Sequence, residues 1–254
     1  MTTRTIDLNA DVGEGSPHDA ELIPLVTSAN IACGAHAGDE QTMNAAARLA
    51  IDAGVAIGAH PGHADREHFG RRELPIAPDE AASLVANQYS RLVAVVERCG
   101  GAVRYIKPHG GLYHQAGRDP DIAAAIAGCV AQLADGLALL AQPGSALEAA
   151  ARKAGVPFYA EAFADRLYQA DGTLAPRSLA GAVLTDPAAA AGQAVSLATR
   201  GEAATLDGPA IPVRCDSLCL HGDGPHAAAI AAAVRSALQG AGVSIRSFTG
   251  SETG

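Results

Sequence analysis

The sequence contains no tryptophan, and aromatic residues make up only 4% of its 254 positions. Stacking platforms for sugars or bases are therefore scarce. Positive charge is also in short supply. Eighteen Lys and Arg stand against 27 Asp and Glu, a net charge of -9, which argues against nucleic acid or an anionic membrane as the main partner. The five cysteines are odd in number and form no C-x-x-C, and Cys215 and Cys219 have no second pair to complete a zinc site. They read as reduced thiols of a core. No basic segment leads into an apolar run at the N-terminus, and no apolar stretch reaches the ~20 residues that span a bilayer. The expectation is a soluble, cytoplasmic protein. Nucleotide-binding signatures are missing too. "GEG" at 13–15 lacks the third glycine of a dinucleotide loop, and there is neither a Walker loop nor a G-x-S-x-G elbow.

Apolar residues reach 48% and charged residues 18%, which suits one α/β domain over residues 1–254. Short β-like runs fall at 4–9, 26–32, 55–59, 103–107, 137–141, 156–161 and 216–220. Ala-rich amphipathic stretches lie between them. In 79–99, Val85, Tyr89, Leu92 and Val96 share one helical face. Helices over 40–53, 79–99 and 225–239 each run up to glycine. Alternating β and α elements imply a mostly parallel sheet, a barrel or a doubly wound fold. Residues 61–78 read as a long loop over a site, and 203–214 as a hairpin around Asp207-Gly208.

The polar residues gather at strand ends. "IDLNADVGEG" alternates Asp7, Asn9 and Asp11 with apolar residues and adds Glu14. Later ends supply Asn30, His36 and Asp39; His60 and His63; Lys107, His109 and His114; Glu161, Asp165 and Arg166; and His221 and Asp223. Parallel strands bring their C-terminal ends to one side, where such folds bind ligands. Parity places Tyr105, Lys107 and His109 on one side of their strand, as it does Tyr159, Glu161, Phe163 and Asp165. His18, His63, His68 and His226 read as solvated loop histidines, and Asp65, Arg66 and Glu67 as a solvated loop. Arg71 and Arg72 are either surface charges or a clamp on a carboxylate. Acids beside histidines and a lysine suit acid–base chemistry on a polarised carbonyl or amide. The same residues could hold zinc or another divalent ion, but spacing assigns no ligand.

"DLNADVGEG", "SANIACGAHAGD", "VAIGAHPG", "FGRREL", "IKPHGGLYH", "EAFADRLYQADGTLAPRS" and "CLHGDGP" together resemble the LamB/YcsF family, in order over about residues 4–246. The resemblance implies an irregular, roughly seven-stranded β/α TIM-like barrel, similar to polysaccharide deacetylases. It implies ATP-dependent opening of 5-oxo-L-proline to L-glutamate with partner subunits B and C; the missing Walker loop is compatible with ATP sitting mainly on a partner and leaves open whether this chain binds it. Under that reading the catalytic candidates are Asp11, Glu14, His36, His60, Lys107 and His109. The substrate-binding candidates are Asp7, Asn9, Asn30, Asp39, Arg71, Glu161, Arg166, Arg177, His221 and Asp223. Asp11 or Glu14 would activate water, Lys107 would neutralise the lactam oxygen, and an arginine would hold the substrate carboxylate. Departures from the family pattern are Ala10, Val12, Ala35 and His63, of which the last two could reshape the pocket. Two alternatives remain open at this point: a metal-dependent, deacetylase-like hydrolase acting on a C–N bond or carbohydrate, and a non-catalytic binding subunit.

Overall fold

The computed structural model describes residues 4–221, 224 and 226–250. Among the described residues ten strands are present: β1 (Thr5–Val12), β2 (Ser28–Ala32), β3 (Ala56–His60), β4 (Val103–Ile106), β5 (Ala138–Ala141), β6 (Phe158–Phe163), β7 (Glu202–Ala203), β8 (Ile211–Pro212), β9 (Ser217–Leu220) and β10 (Ser244–Ile245). Seven of them, β1 to β6 and β9, pair in parallel in that order. A further pairing of β9 with β1 closes the ring. These seven lie within three residues of the positions read from the sequence. β10 adds to the outer start of β1 through Thr5 and Ile6, and β7 and β8 form the expected antiparallel hairpin.

Helices α1 (Asp19–Leu22), α2 (Glu40–Asp52), α3 (Pro78–Arg98), α4 (Gly110–Arg118), α5 (Pro120–Leu133), α6 (Ala146–Ala154), α7 (Pro187–Arg200) and α8 (Ala227–Gly240) connect the strands. Crossover helices are what parallel neighbours require. α3 begins with Pro at its first turn and buries Val85, Tyr89, Leu92 and Val96 against the barrel, the face that the spacing predicts. α8 runs to Gly240 rather than stopping before it; Gly242, at φ +74°, makes the turn.

Apolar side chains on the outer strand face, including Leu8, Ala10 and Val12 of β1, join the helices in one core. The lumen is different. It holds a polar column, with a small apolar floor of Tyr105, Ala138 and Leu140 covered by Tyr159 and Phe248. Gly58 of β3 makes room for this floor: a Cβ there would lie 2.2 Å from the Tyr105 ring. Among the described residues no helix is long and apolar enough to cross a membrane.

Candidate active site

The lumen column starts at Asp7, which is 1% exposed. Thr27 and Ser28 donate to its Oδ1 at 2.7 Å each, and Ser217 donates to Oδ2. Burial, opposed by those hydroxyls, raises its pKa to about 6. One pleat higher, Asn9 donates to Ser217 at 2.7 Å, and Asn30 donates to Asn9 at 2.7 Å and to Asp11 at 2.8 Å. Tyr105 donates to the Asn30 carbonyl at 2.7 Å. Every amide is thus oriented by a neighbour, and Asp11 Oδ1 is fixed at the top of the column.

Lys107 closes that level. Its ammonium lies 2.9 Å from Asp11 Oδ1 and 2.8 Å from Glu161 Oε1, and it donates to Asn9 at 3.2 Å. Lys107 is 2% exposed. Burial works against its charge, yet Asp11 and Glu161 outweigh burial and hold the group well above its ordinary pKa. Burial likewise pushes Asp11 up, but His60 and Lys107 together hold its carboxyl well below the usual range. The result is a buried, ionised pair at the base of a cleft. Glu161 is fully buried under Lys107 and also faces Tyr113, whose hydroxyl is pushed well up, chiefly by burial.

The histidines stand beside this pair. His60 Nε2 is 3.4 Å from Asp11 Oδ2, and His60 Nδ1 meets the Lys107 carbonyl at 2.8 Å. His109 Nδ1 lies 2.8 Å from His60 Nε2, and His109 Nε2 meets the Phe69 carbonyl at 2.8 Å. Phe69 is the sole non-glycine residue at positive φ among the described residues, at +56°. A strained backbone that delivers a carbonyl to a site histidine is a common signature of function. His36 stacks on His109 with centroids 3.8 Å apart and reaches Glu14 Oε1 at 3.2 Å. A Cβ at Gly70 would lie 2.6 Å from His36 Cβ, so glycine lets the loop close over the stack. Burial lowers the pKa of His36 to about 3 and holds His109 well below its usual value.

Above these groups opens a cleft of about 790 Å³. Asp11, Glu14, His60, Lys107 and His109 line its base, and Arg71, Arg166, Arg177 and His221 line its walls. Asp165 holds His221 at 2.9 Å and receives its backbone N–H, and Phe163 stacks on the same ring at 5.6 Å.

The structure places several candidates away from the cleft. Asp7, Asn9, Asn30 and Glu161 lie beneath the cleft as supports, because β1, β2 and β6 point them into the closed lumen. His36 sits behind His109 and does not line the cleft. Asp39 belongs to a helix end: it caps α2 by accepting from the Thr42 N–H at 2.9 Å and does not line the cleft. Asp223 lies outside the described residues. His63 is buried and contacts Gln115 at 2.5 Å, so it is no solvated histidine. Asp65 is also buried, and Arg72 clamps it with two bonds of 2.8 Å. The carboxylate that Arg72 holds is the protein's own. Residues 61–77 are therefore a tied-down loop that borders the cleft through Phe69, Arg71 and Glu73. Cys219, which Lys107 approaches at 3.1 Å, and Tyr113 receive no role from the sequence, although they fall in the blocks "CLHGDGP" and "IKPHGGLYH". Cys219 stands two residues before His221, a spacing that puts both on one side of an extended run, whereas Tyr113 lies in α4, where strand parity does not reach.

The LamB/YcsF family matches residues 6–253. The A-type subunit of 5-oxoprolinase from Heliobacterium modesticaldum is 46% identical over 246 residues, covering 95% of this chain and 97% of that protein. Its counterpart of the same description from Thermus thermophilus is 46% identical over 248 residues, covering 96% and 99%. The crystal structure of a lactam utilization protein from Thermus thermophilus superposes with a TM-score of 0.90 at 45% identity, covering 96% of this chain and all of that one. A T48 deacetylase is similar in fold alone, with a TM-score of 0.54 at 12% identity over 96% of this chain and 88% of its own. The chain belongs to the LamB/YcsF family.

Proposed function

We propose that this chain is the A-type subunit of a 5-oxoprolinase, a hydrolase that opens the cyclic amide of 5-oxo-L-proline to L-glutamate with the help of ATP. The observation that carries the reading is the near-full-length match to proteins named as the A-type subunit of 5-oxoprolinase. The cleft chemistry supports it. A five-membered lactam resists hydrolysis because its amide is stabilised by resonance and its amine leaves poorly. Phosphorylation of the lactam oxygen makes the carbon electrophilic. The buried Lys107 ammonium then faces the oxygen on which charge develops, a preorganised electrostatic role. Asp11 Oδ1 is committed to Asn30 and Lys107, whereas Oδ2 faces His60 and meets the attacking water. So strongly ionised a carboxylate orients water better than it retains a proton, and His221, which lines the cleft with a ring nitrogen within 4.8 Å of Asp11, carries the proton onward. Arg71, Arg166 and Arg177 offer cationic walls to the substrate carboxylate or the phosphate. Subunits B and C supply ATP and the phosphoryl step.

The test is 5-oxoproline-dependent ATP hydrolysis and glutamate release, with this chain alone and then with subunits B and C. Glutamate formed only in the mixture supports the assignment; glutamate formed by B and C without this chain overturns it. In the mixture, Asp11→Asn abolishes glutamate release by a factor of about 10² or more, the scale of a lost acid–base or electrostatic group, while circular dichroism stays native. Near-normal turnover would remove Asp11 from the mechanism.

A further inference from the structure

The histidine cluster has a hydrogen-bond account that does not close with the protein's own atoms. The partner of His60 Nδ1 is a backbone carbonyl, Lys107 O, at 2.8 Å. A carbonyl only accepts, so Nδ1 carries the proton and Nε2 presents its lone pair. His109 repeats the arrangement in mirror form: Nε2 meets the Phe69 carbonyl at 2.8 Å, which leaves the lone pair on Nδ1. These two lone-pair nitrogens then face each other at 2.8 Å. Two neutral acceptors at that distance repel, so a cation belongs between them. A single proton would join only this pair. The surrounding donors extend further: Glu14 Oε1 is 3.5 Å from His109 Nδ1 and 3.2 Å from His36 Nε2. One ligand atom from each of Glu14, His36, His60 and His109 falls within 4.8 Å of every other.

We propose that this cluster is a divalent transition-metal site of the zinc class, with His60 Nε2, His109 Nδ1 and Glu14 Oε1 as its ligands, while His36, stacked face to face on His109, supports Glu14 from behind. Two imidazoles and one carboxylate select borderline cations such as Zn²⁺ or Co²⁺ over the oxygen-seeking Mg²⁺ and Ca²⁺. The two backbone carbonyls fix the tautomers of His60 and His109, a role outer groups commonly play at metal-bound histidines. Asp11 Oδ2, 3.4 Å from His60 Nε2, borders the site, and Glu14, His60 and His109 place it on the cleft.

Metal binding here needs neither ATP nor lactam, so its test is separate from that of the proposed reaction. Protein stripped with a chelator is titrated with Zn²⁺ by calorimetry, and with Co²⁺ while its visible absorption is followed. One ion per chain is expected, with millimolar Mg²⁺ failing to compete. Glu14→Gln and the double variant His60→Gln/His109→Gln each weaken binding by at least about tenfold, while His68→Gln, outside the cluster, binds as the wild type does. Circular dichroism reports whether each variant is folded, and Glu14→Gln tests the site even where the double variant is not. Absence of a saturable ion on folded wild-type protein would mean that a shared proton bridges the histidines, and the metal site is then wrong. Undiminished binding in folded Glu14→Gln or double-variant protein overturns it equally.

Discussion

Asp7 shows how one residue type serves different ends along a single strand. Asp7 and Asp11 share a lumen-facing side of β1, yet burial raises Asp7 to about 6 while His60 and Lys107 hold Asp11 well below its ordinary value. The linkage for Asp7 follows from its sign. Its folded pKa exceeds the unfolded value of 3.8, so the native state binds this proton more tightly than the unfolded chain does. That advantage is full below about 4 and is lost as pH rises through about 6, a difference of about 3 kcal/mol. Asp7→Asn removes it. The stability of Asp7→Asn relative to wild type, from urea unfolding, therefore rises by that order between pH 4 and pH 7. A difference that stays flat across this window would show that Asp7 is not protonated in the native state. Alternation along "IDLNADVGEG" made the shared polar face legible. It did not distinguish base from support, because that depends on Lys107, His60 and three hydroxyls from β2, its preceding loop and β9, none of them local in sequence. Asp39 was misplaced for the opposite reason: its partner, Thr42, is local, and the cap competes with any ligand role.

At the scale of elements, apolar runs and helical spacing placed the barrel strands, since each needs one face in the outer core and each helix needs a buried stripe. The loop over residues 61–77 was harder. Its order comes from Arg72 on Asp65, Gln88 on the Gly62 carbonyl and Gln115 on the Leu74 carbonyl, contacts between segments that no sequence period announces. β3 carries a sharper constraint. Gly58 lies inside a strand, where glycine is disfavoured unless another group approaches closely; here the Tyr105 ring does, and it also donates to Asn30. Gly58→Ala forces that ring to move. The expected cost is about 1–3 kcal/mol of overpacking, accompanied by a fall in turnover at temperatures where the protein remains folded, because Asn30 orients Asp11. Thermal unfolding and kcat measured on the same preparation check both parts. Wild-type stability would mean that the lumen repacks around an added methyl group.

The whole molecule divides its labour between the two ends of the barrel. The cleft lies at the C-terminal ends of the strands, where loops can vary without disturbing the ring. The opposite end is sealed by residues after β10: Phe248 packs on Tyr159 at 4.2 Å and on Tyr105 at 5.0 Å between ring centroids, and Ser247 lies 3.3 Å from Ser28. Phe248 therefore acts as a floor plate under the polar column. It is only half-buried, so Phe248→Ala should cost about 2 kcal/mol, less than the 3–5 typical of a fully buried Phe. For a chain of this size that lowers the thermal midpoint by about 4–8 °C. Catalysis should be spared. Tyr105 keeps its packing on Ala138 and Leu140 and its bond to Asn30, and Lys107 keeps both its carboxylates. The prediction is a lower midpoint with kcat and KM unchanged well below it, measured in the reconstituted assay. A several-fold change in kcat without a change in midpoint would mean that the floor tunes the column from below, and that the separation of stability from chemistry along the barrel axis does not hold.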